Sequence, residues 1–228
     1  MNSPPLSPSV EDYLKAVYSL NEGGGPAGTN ELARVLAVRP GSVSGMIRRL
    51  AEDGLLQHEP YRGVRLTEEG SREALKILRR HRIIESFLVQ RLGYDWDDVH
   101  AEAEQLEHAA SERLIEAMAE ALGHPATDPH GAPIPTRTGR IEPSPAKRLD
   151  EMVAGSRVTV RSVADEDPVR LRYLKSVGLV PGARAVVRKG GGEEGAVTVT
   201  VEGGSGPLRI RRNVASRVTV SETDQSGE

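Results

Sequence analysis

Six prolines fall between His124 and Pro145, interspersed with Gly and Thr. No helix or central strand tolerates that density of residues lacking an amide hydrogen, so the stretch reads as a linker. The texture changes across it. Upstream, apolar residues recur at helical spacing; downstream, β-branched residues cluster or alternate in short runs. The 228 residues are therefore expected to form three pieces: residues 1–72, residues 73–145 ending in the linker, and residues 146–228. A chain of this length can bury a real core.

Composition removes several classes of function. Cys is absent, which rules out disulfides, thiolate zinc sites and thiol nucleophiles, so any metal must sit on His and carboxylates. No apolar run approaches the roughly 20 residues that span a bilayer. Residues 1–10 lack the charged-then-apolar pattern of a signal peptide, so a cytoplasmic protein with no membrane partner is expected. One Phe, one Trp and five Tyr leave little for stacking on single-stranded nucleic acid. The net charge of −3 is uneven, at +1 over residues 1–80, −6 over 81–140 and +2 over 141–228. The acidic middle also carries five of the six His.

The first piece divides into recognisable elements. Ser9 to Asp12, followed by Tyr13, Leu14, Val17, Tyr18 and Leu20, predicts a capped amphipathic helix that stops at Gly23–Gly25. Thr29 is expected to cap a short helix running to about Ala37. After a turn at Arg39-Pro-Gly41, a further helix is expected from Ser42 to Asp53, closed by Gly54. Leu55–Glu59 and Gly63–Thr67 read as a two-stranded ribbon. Helix, helix, turn, helix, ribbon is the order of a winged helix-turn-helix. Glu68 to about Leu92 and Asp95 to about Leu122 predict two longer amphipathic helices that pack on each other or on a second subunit.

In the third helix Val43, Met46, Ile47 and Leu50 follow core spacing, leaving Ser42, Ser44, Gly45, Arg48 and Arg49 outside. Small residues at the start of such a helix allow close entry into a major groove. Arg39 at the turn, with Arg48, Arg49, Arg62 and Arg65, could hold flanking phosphates. The alternative is a winged helix that makes only protein contacts, its arginines forming a solvated face.

The densest chemistry lies in His100-Ala-Glu-Ala-Glu104-Gln-Leu-Glu107-His108. At about 100° per residue, His100, Glu104, Glu107 and His108 share one helix face. Crowded carboxylates beside imidazoles suit a divalent ion. The preceding helix offers His81 and Glu85 at i and i+4, which antiparallel pairing would bring to the same place. An acidic helical face can also be merely wet. His58, His124 and His130 lack comparable partners and read as ordinary. His-x-x-x-Glu is not the His-Glu-x-x-His of zinc proteases.

Together these segments resemble the diphtheria-toxin-repressor family of metal-dependent transcriptional regulators, and more narrowly its manganese-responsive branch. The resemblance is carried by residues 11–18, 42–50, 53–56, 80–85 and 99–108, with Asp128-Pro-His-Gly-Ala-Pro-Ile-Pro135 similar to the family's linker signature. It implies a mainly α chain with β: a winged helix-turn-helix, a helical dimerisation domain, and an SH3-like small β-barrel. Arg157–Val163, Ala185–Arg188, Ala196–Glu202 and Arg217–Ser221 read as barrel strands, and Gly178–Gly182 as a tight turn. The basic residues there read as a solvated face, with direct contact to DNA as the lesser alternative.

The resemblance also implies site residues. The activating metal site corresponds to Asp12, Glu104, Glu107 and His108. A second site corresponds to His81, Glu85 and His100, with Asp165, Glu166 or Asp167 as the nearest further candidates. The iron-responsive branch places Met and Cys where this chain has Asp12 and Glu104; exchanging sulfur for oxygen favours Mn²⁺. The short manganese regulators carry Glu where this chain has Lys15, so a two-ion site does not follow directly. The expected function is a homodimeric, Mn²⁺-activated regulator that binds a palindromic double-stranded operator and controls metal-ion homeostasis genes. An Fe²⁺-responsive repressor and a metal-dependent hydrolase are the alternatives, the latter lacking any recognisable substrate loop.

Overall fold

The computed structural model describes residues 6–22, 24–59, 62–142, 146–164, 167–189 and 195–223. The elements run α1 (Pro8–Asn21), α2 (Thr29–Val35), α3 (Pro40–Glu52), β1 (Leu56–Glu59), β2 (Gly63–Leu66), α4 (Glu68–Leu92), α5 (Val99–Glu107) and α6 (Glu112–Ala121). They continue with β3 (Lys147–Arg148), a 3-10 turn (Leu149–Glu151), β4 (Arg157–Val163), α7 (Pro168–Ser176), β5 (Arg184–Lys189), β6 (Ala196–Val201), β7 (Pro207–Arg211), α8 (Arg212–Ala215) and β8 (Val218–Glu222). Two compact units result. One holds Met1–His81, Glu107–Ala110 and Pro135–Ile141; the other holds Arg82–Leu106, Ser111–Ile134 and Glu142–Glu228.

The first unit is the winged helix. Val10, Tyr13, Leu14 and Val17 of α1 pack with Leu32 of α2, Val43, Ile47 and Leu50 of α3, Leu56 and Val64 of the ribbon, and Ala74 and Ile77 of α4. Burying these side chains is what holds α3 against α1, at about 1.5–3 kcal/mol for each large one. The helix starts differ slightly from expectation. Gly28, not Thr29, is the N-cap of α2, and α3 begins at Pro40, where a missing amide hydrogen costs nothing. In the turn between α2 and α3, Ala37 takes a left-handed conformation with φ 52°. β1 and β2 pair antiparallel from Leu56↔Leu66 to Glu59↔Gly63. Gly63, with φ +122°, lies so close to Ala27 that a Cβ would stand 2.3 Å from its carbonyl oxygen. Ala27 and Val64 exchange both backbone hydrogen bonds there.

In the second unit a six-stranded, all-antiparallel sheet has the order β3-β8-β4-β5-β6-β7. Inward-facing Val158, Val160, Val187, Val197, Val199, Ile210, Val218 and Val220 meet Leu149, Leu171, Leu174 and Leu179 in one core. Two strands, β3 and β7, and two helices, α7 and α8, here escape sequence reading. β7 is an edge strand with Ile210 as its one fully buried position. β3 is two residues long. α7 shows the core only Leu171 and Leu174; it is started by Pro168 and by Asp167, whose Oδ1 accepts from the Val169 amide at 2.9 Å.

Two further expectations are corrected. The single helix expected from Asp95 to Leu122 is two helices, because Ser111 adopts an extended conformation and its side chain caps Leu114 N, starting α6 afresh. The proline-rich stretch is not a slack tether over its described part. Asp128 Oδ1 accepts from the amides of His130 and Ala132 at 2.8 and 2.9 Å, Thr127 bridges Pro133, and Gly139 and Arg140 turn back on Thr136. Asx turns replace the helix and sheet bonds that proline forbids. Pro143 and Pro145 lie outside the described residues.

Candidate functional site

In the first unit α1 and the segment 107–110 bring acids and imidazoles together. Glu107, fully buried, accepts from Lys15 Nζ at 2.7 Å on one oxygen and faces His81 Nδ1 at 2.5 Å with the other. Burial works to raise its pKa, but His81 and Lys15 outweigh that, so Glu107 is held below the usual carboxylate range. The His108 ring is bracketed: Nδ1 lies 2.7 Å from Glu11 Oε2, and Nε2 lies 3.0 Å from Asp12 Oδ1 and 3.8 Å from Glu107 Oε1. Glu11 is in turn bound by Arg80. Asp12, Glu107 and His108 each offer a donor atom, and these lie within 4.8 Å of one another. Two carboxylate oxygens and an imidazole nitrogen fit a hard divalent cation, with no sulfur to favour a softer one.

A second cluster belongs to the other unit. Glu85 is almost completely buried on α4, with His100 Nδ1 at 3.3 Å from Oε1 and His130 Nδ1 at 3.7 Å from Oε2. Glu104 Oε1 lies 3.5 Å from His100 Nε2, one turn along α5. Glu85, Asp128 and His130 also each present a donor within 4.8 Å of the others. Burial opposes a charged His130, yet Glu85 and Asp128 win and its pKa is raised. Asp128 is raised by burial and then by the charge of Glu85, against Arg82 and His130. His130 Nε2 reaches the Trp96 carbonyl at 2.6 Å and its ring lies 5.3 Å from the indole.

On α3, Ser42, Ser44, Gly45, Arg48 and Arg49 are all exposed, as is Arg39 before it. Arg49 lies 3.8 Å from Asp53 and Arg62 3.7 Å from Glu59. Arg65 is more committed, donating to Glu59 at 2.8 Å and to the Gly24 carbonyl at 3.1 Å. It stiffens the wing's attachment at least as much as it offers charge.

Residues 5–64 match the family described as "Iron dependent repressor, N-terminal DNA binding domain". Residues 67–136 match "Iron dependent repressor, metal binding and dimerisation domain", and residues 147–222 match the FeoA domain. The chain belongs to the iron-dependent repressor family. The iron-dependent repressor IdeR of Mycobacterium tuberculosis is 35% identical over 213 residues, covering 87% of this chain and 90% of that protein. The HTH-type transcriptional regulator MntR of Lysinibacillus sphaericus is 34% identical over 114 residues, 50% of this chain and 81% of that one. A solved manganese-dependent transcriptional repressor in complex with manganese superposes with a TM-score of 0.84 at 37% identity, covering 94% of this chain and all of that one. Iron-dependent repressors are metal-dependent, DNA-binding transcriptional regulators that dimerise, and are not enzymes; this chain is one of them.

Within this chain, the geometry brings Asp12, Glu107 and His108 to one place and Glu85, His100 and Glu104 to another. His81 directs its Nδ1 to Glu107. Asp165 and Glu166 lie outside the described residues, and Asp167 is the α7 cap. Sequence reasoning overlooked Glu11, hidden by its neighbour Asp12. It also set His130 aside as ordinary, a reading the structure corrects: the ring is buried against Trp96, Glu85 and the Asp128 turn. The Asp-Pro-His-Gly turn was the available signal. Among the described residues, no helix is long and apolar enough to cross a membrane.

Proposed function

We propose that this repressor is activated by Mn²⁺ at a site made by Asp12, Glu107 and His108, with Glu104, one turn earlier on α5, as a further ligand. The observation that carries the reading is the approach of His108 Nε2 to Asp12 Oδ1 at 3.0 Å, which joins the first helix of the DNA-reading domain to residue 108 of the metal-binding and dimerisation region. A bound divalent ion supplies the positive charge that lets these carboxylates stand together in one fixed geometry. Asp12 then holds α1, and α1 holds α3 through the Leu14, Val17, Val43 and Leu50 core. Fixing both α3 helices of a homodimer at the separation of successive major grooves, about one helical turn, selects a palindromic operator. Exposed Ser42, Ser44 and Gly45 allow close approach to base edges, and Arg39, Arg48, Arg49 and Arg62 hold phosphates, with Arg65 steadying the wing.

The oxygen-rich donor set favours Mn²⁺ over softer ions. Fe²⁺ is the second reading, supported by the likeness to an iron-dependent repressor. Glu85 and His100 are the core of a proposed second ion position, to which Asp128 and His130 bring donors from the other side of Glu85; the family resemblance adds His81 and Asp165 as ligands. Regulation of metal-ion homeostasis genes in the cytoplasm follows from this reading.

The test is calorimetric titration of metal-free protein with Mn²⁺, Fe²⁺ and Zn²⁺, followed by gel shifts on promoters of metal-transport genes. Mn²⁺ should raise operator affinity and chelation should reverse it. Asp12→Ala combined with Glu104→Ala should abolish the metal response; an unchanged response sinks the mechanism.

A further inference from the structure

The outer face of the six-stranded sheet carries arginine on three of its strands. Side chains alternate across a strand, and with the valines turned inward, Arg157 and Arg161 of β4, Arg184 and Arg188 of β5, and Arg209 and Arg211 of β7 all point outward and are exposed. The register keeps them apart: Arg157 pairs with Val186, Arg184 with Thr159, Arg209 with Thr198 and Arg211 with Ala196. Hydroxyls fill the gaps and orient two of the guanidinia, Arg161 Nε to Ser221 at 2.7 Å and Arg188 Nε to Thr200 at 3.0 Å.

These cations differ from others in the same region. Arg148, Arg172, Lys175 and Arg212 each sit within 3.4 Å of a carboxylate. Among the described residues none of the six face arginines has a carboxylate partner. Beside Arg209 and Arg211 the surface is concave, an open cleft of about 630 Å³ that Arg212, Asn213, Gly195 and Ala196 complete. An unpaired array of like charges destabilises a fold until an anion covers it.

We propose that this face binds the phosphate backbone of duplex DNA, adding a second, sequence-independent contact to that of the winged helix. The proposal rests on the DNA-binding reading above. Arginine forks pair bidentately with phosphate, and spaced guanidinia with intervening hydroxyls suit a polymer of separate phosphates. The outward positions of these strands hold no aromatic residue, which argues against single strands that need stacking platforms. They also lack the large apolar side chains that would enter a membrane.

The test uses the full-length, Mn²⁺-loaded protein and a random-sequence duplex of about 40 base pairs, with affinity followed by fluorescence anisotropy from roughly 50 to 300 mM salt. Replacing Arg188, Arg209 and Arg211 together by Gln should weaken binding by at least about tenfold and make the slope of log affinity against log salt shallower by about 2.7. The pair Arg157→Gln and Arg184→Gln should give about two-thirds of that slope change. Unchanged slope and affinity in both variants, alongside weakened binding by Arg48→Gln with Arg49→Gln, overturns this proposal and leaves the winged-helix reading intact. Failure of the parent protein itself to bind the duplex at low salt overturns both. Loss of the homodimer in the triple variant, seen by sedimentation, identifies the face as a contact between copies and overturns the DNA assignment.

Discussion

Lys15 Nζ stands 2.7 Å from Oε1 of Glu107, ninety-two residues later in the chain. Without metal, this ammonium and the His81 ring are the charge that lets a fully buried carboxylate ionise. Lys15→Met should therefore destabilise the metal-free protein by roughly 2–3 kcal/mol, the cost of a broken buried pair discounted for the partial exposure of Lys15. Thermal unfolding should show a lowered midpoint in chelator and a much smaller difference when Mn²⁺ is added. Equal losses with and without Mn²⁺ would count against a shared role for lysine and metal.

Glu11 touches His108 from the side opposite Asp12, with Arg80 holding Glu11 in place. It orients the ring without belonging to the proposed ligand set. Glu11→Gln should weaken Mn²⁺ binding by about 10–100-fold, the usual range for such supporting groups. Calorimetry should find the stoichiometry unchanged.

His130 has a raised pKa, so its contribution to stability is complete below about pH 6.5 and is lost as pH rises through the native value. Asp128, also raised, has the same sign: both groups hold protons more tightly folded than unfolded. The metal-free protein should lose thermal stability as pH rises above about 6.5, and His130→Gln should flatten that dependence. Trp96, the single tryptophan, provides a fluorescence signal beside the ring.

Gly131 has φ +83°, and a Cβ there would stand 2.0 Å from the Arg161 carbonyl oxygen on β4. Backbone blocks backbone, so no side-chain rotation can relieve the clash. Gly131→Ala should cost roughly 2–4 kcal/mol and break the hydrogen bond from Val163 N to His130 O. Hydrogen exchange at the Val163 amide should accelerate selectively.

Arg48 is exposed on α3. Arg48→Ala should weaken binding to all duplexes alike and reduce the salt slope by about 1, as expected for one phosphate contact. A change confined to one base position would mark it instead as a reader of sequence.

Much of the first unit could be read directly because its core follows helical spacing. Val43, Ile47 and Leu50 repeat at intervals of four and three, and the glycine and proline signals fall at the ends of the helices. The shared face of Glu104, Glu107 and His108 was readable for the same reason. Partners distant in sequence were harder: nothing in the order of residues says that His81 Nδ1 meets Glu107, twenty-six residues on. Ser111 hid the helix break because a serine inside an apolar pattern looks tolerable until its side chain is seen capping Leu114 N. In β7 the alternating arginines masked a strand whose inward side is little more than Ile210.

The turn built on Asp128 alters what limited proteolysis of this protein should reveal. A proline-rich joint would be nicked first, but residues 126–134 and 136–140 are pinned by carboxylate-to-amide and carbonyl bonds. A protease has to melt that clasp before it can bind an extended stretch of backbone there. The fragment pattern thus reports whether Asp128 still accepts its two amides, and Asp128→Ala should expose a cleavage site that the parent conceals.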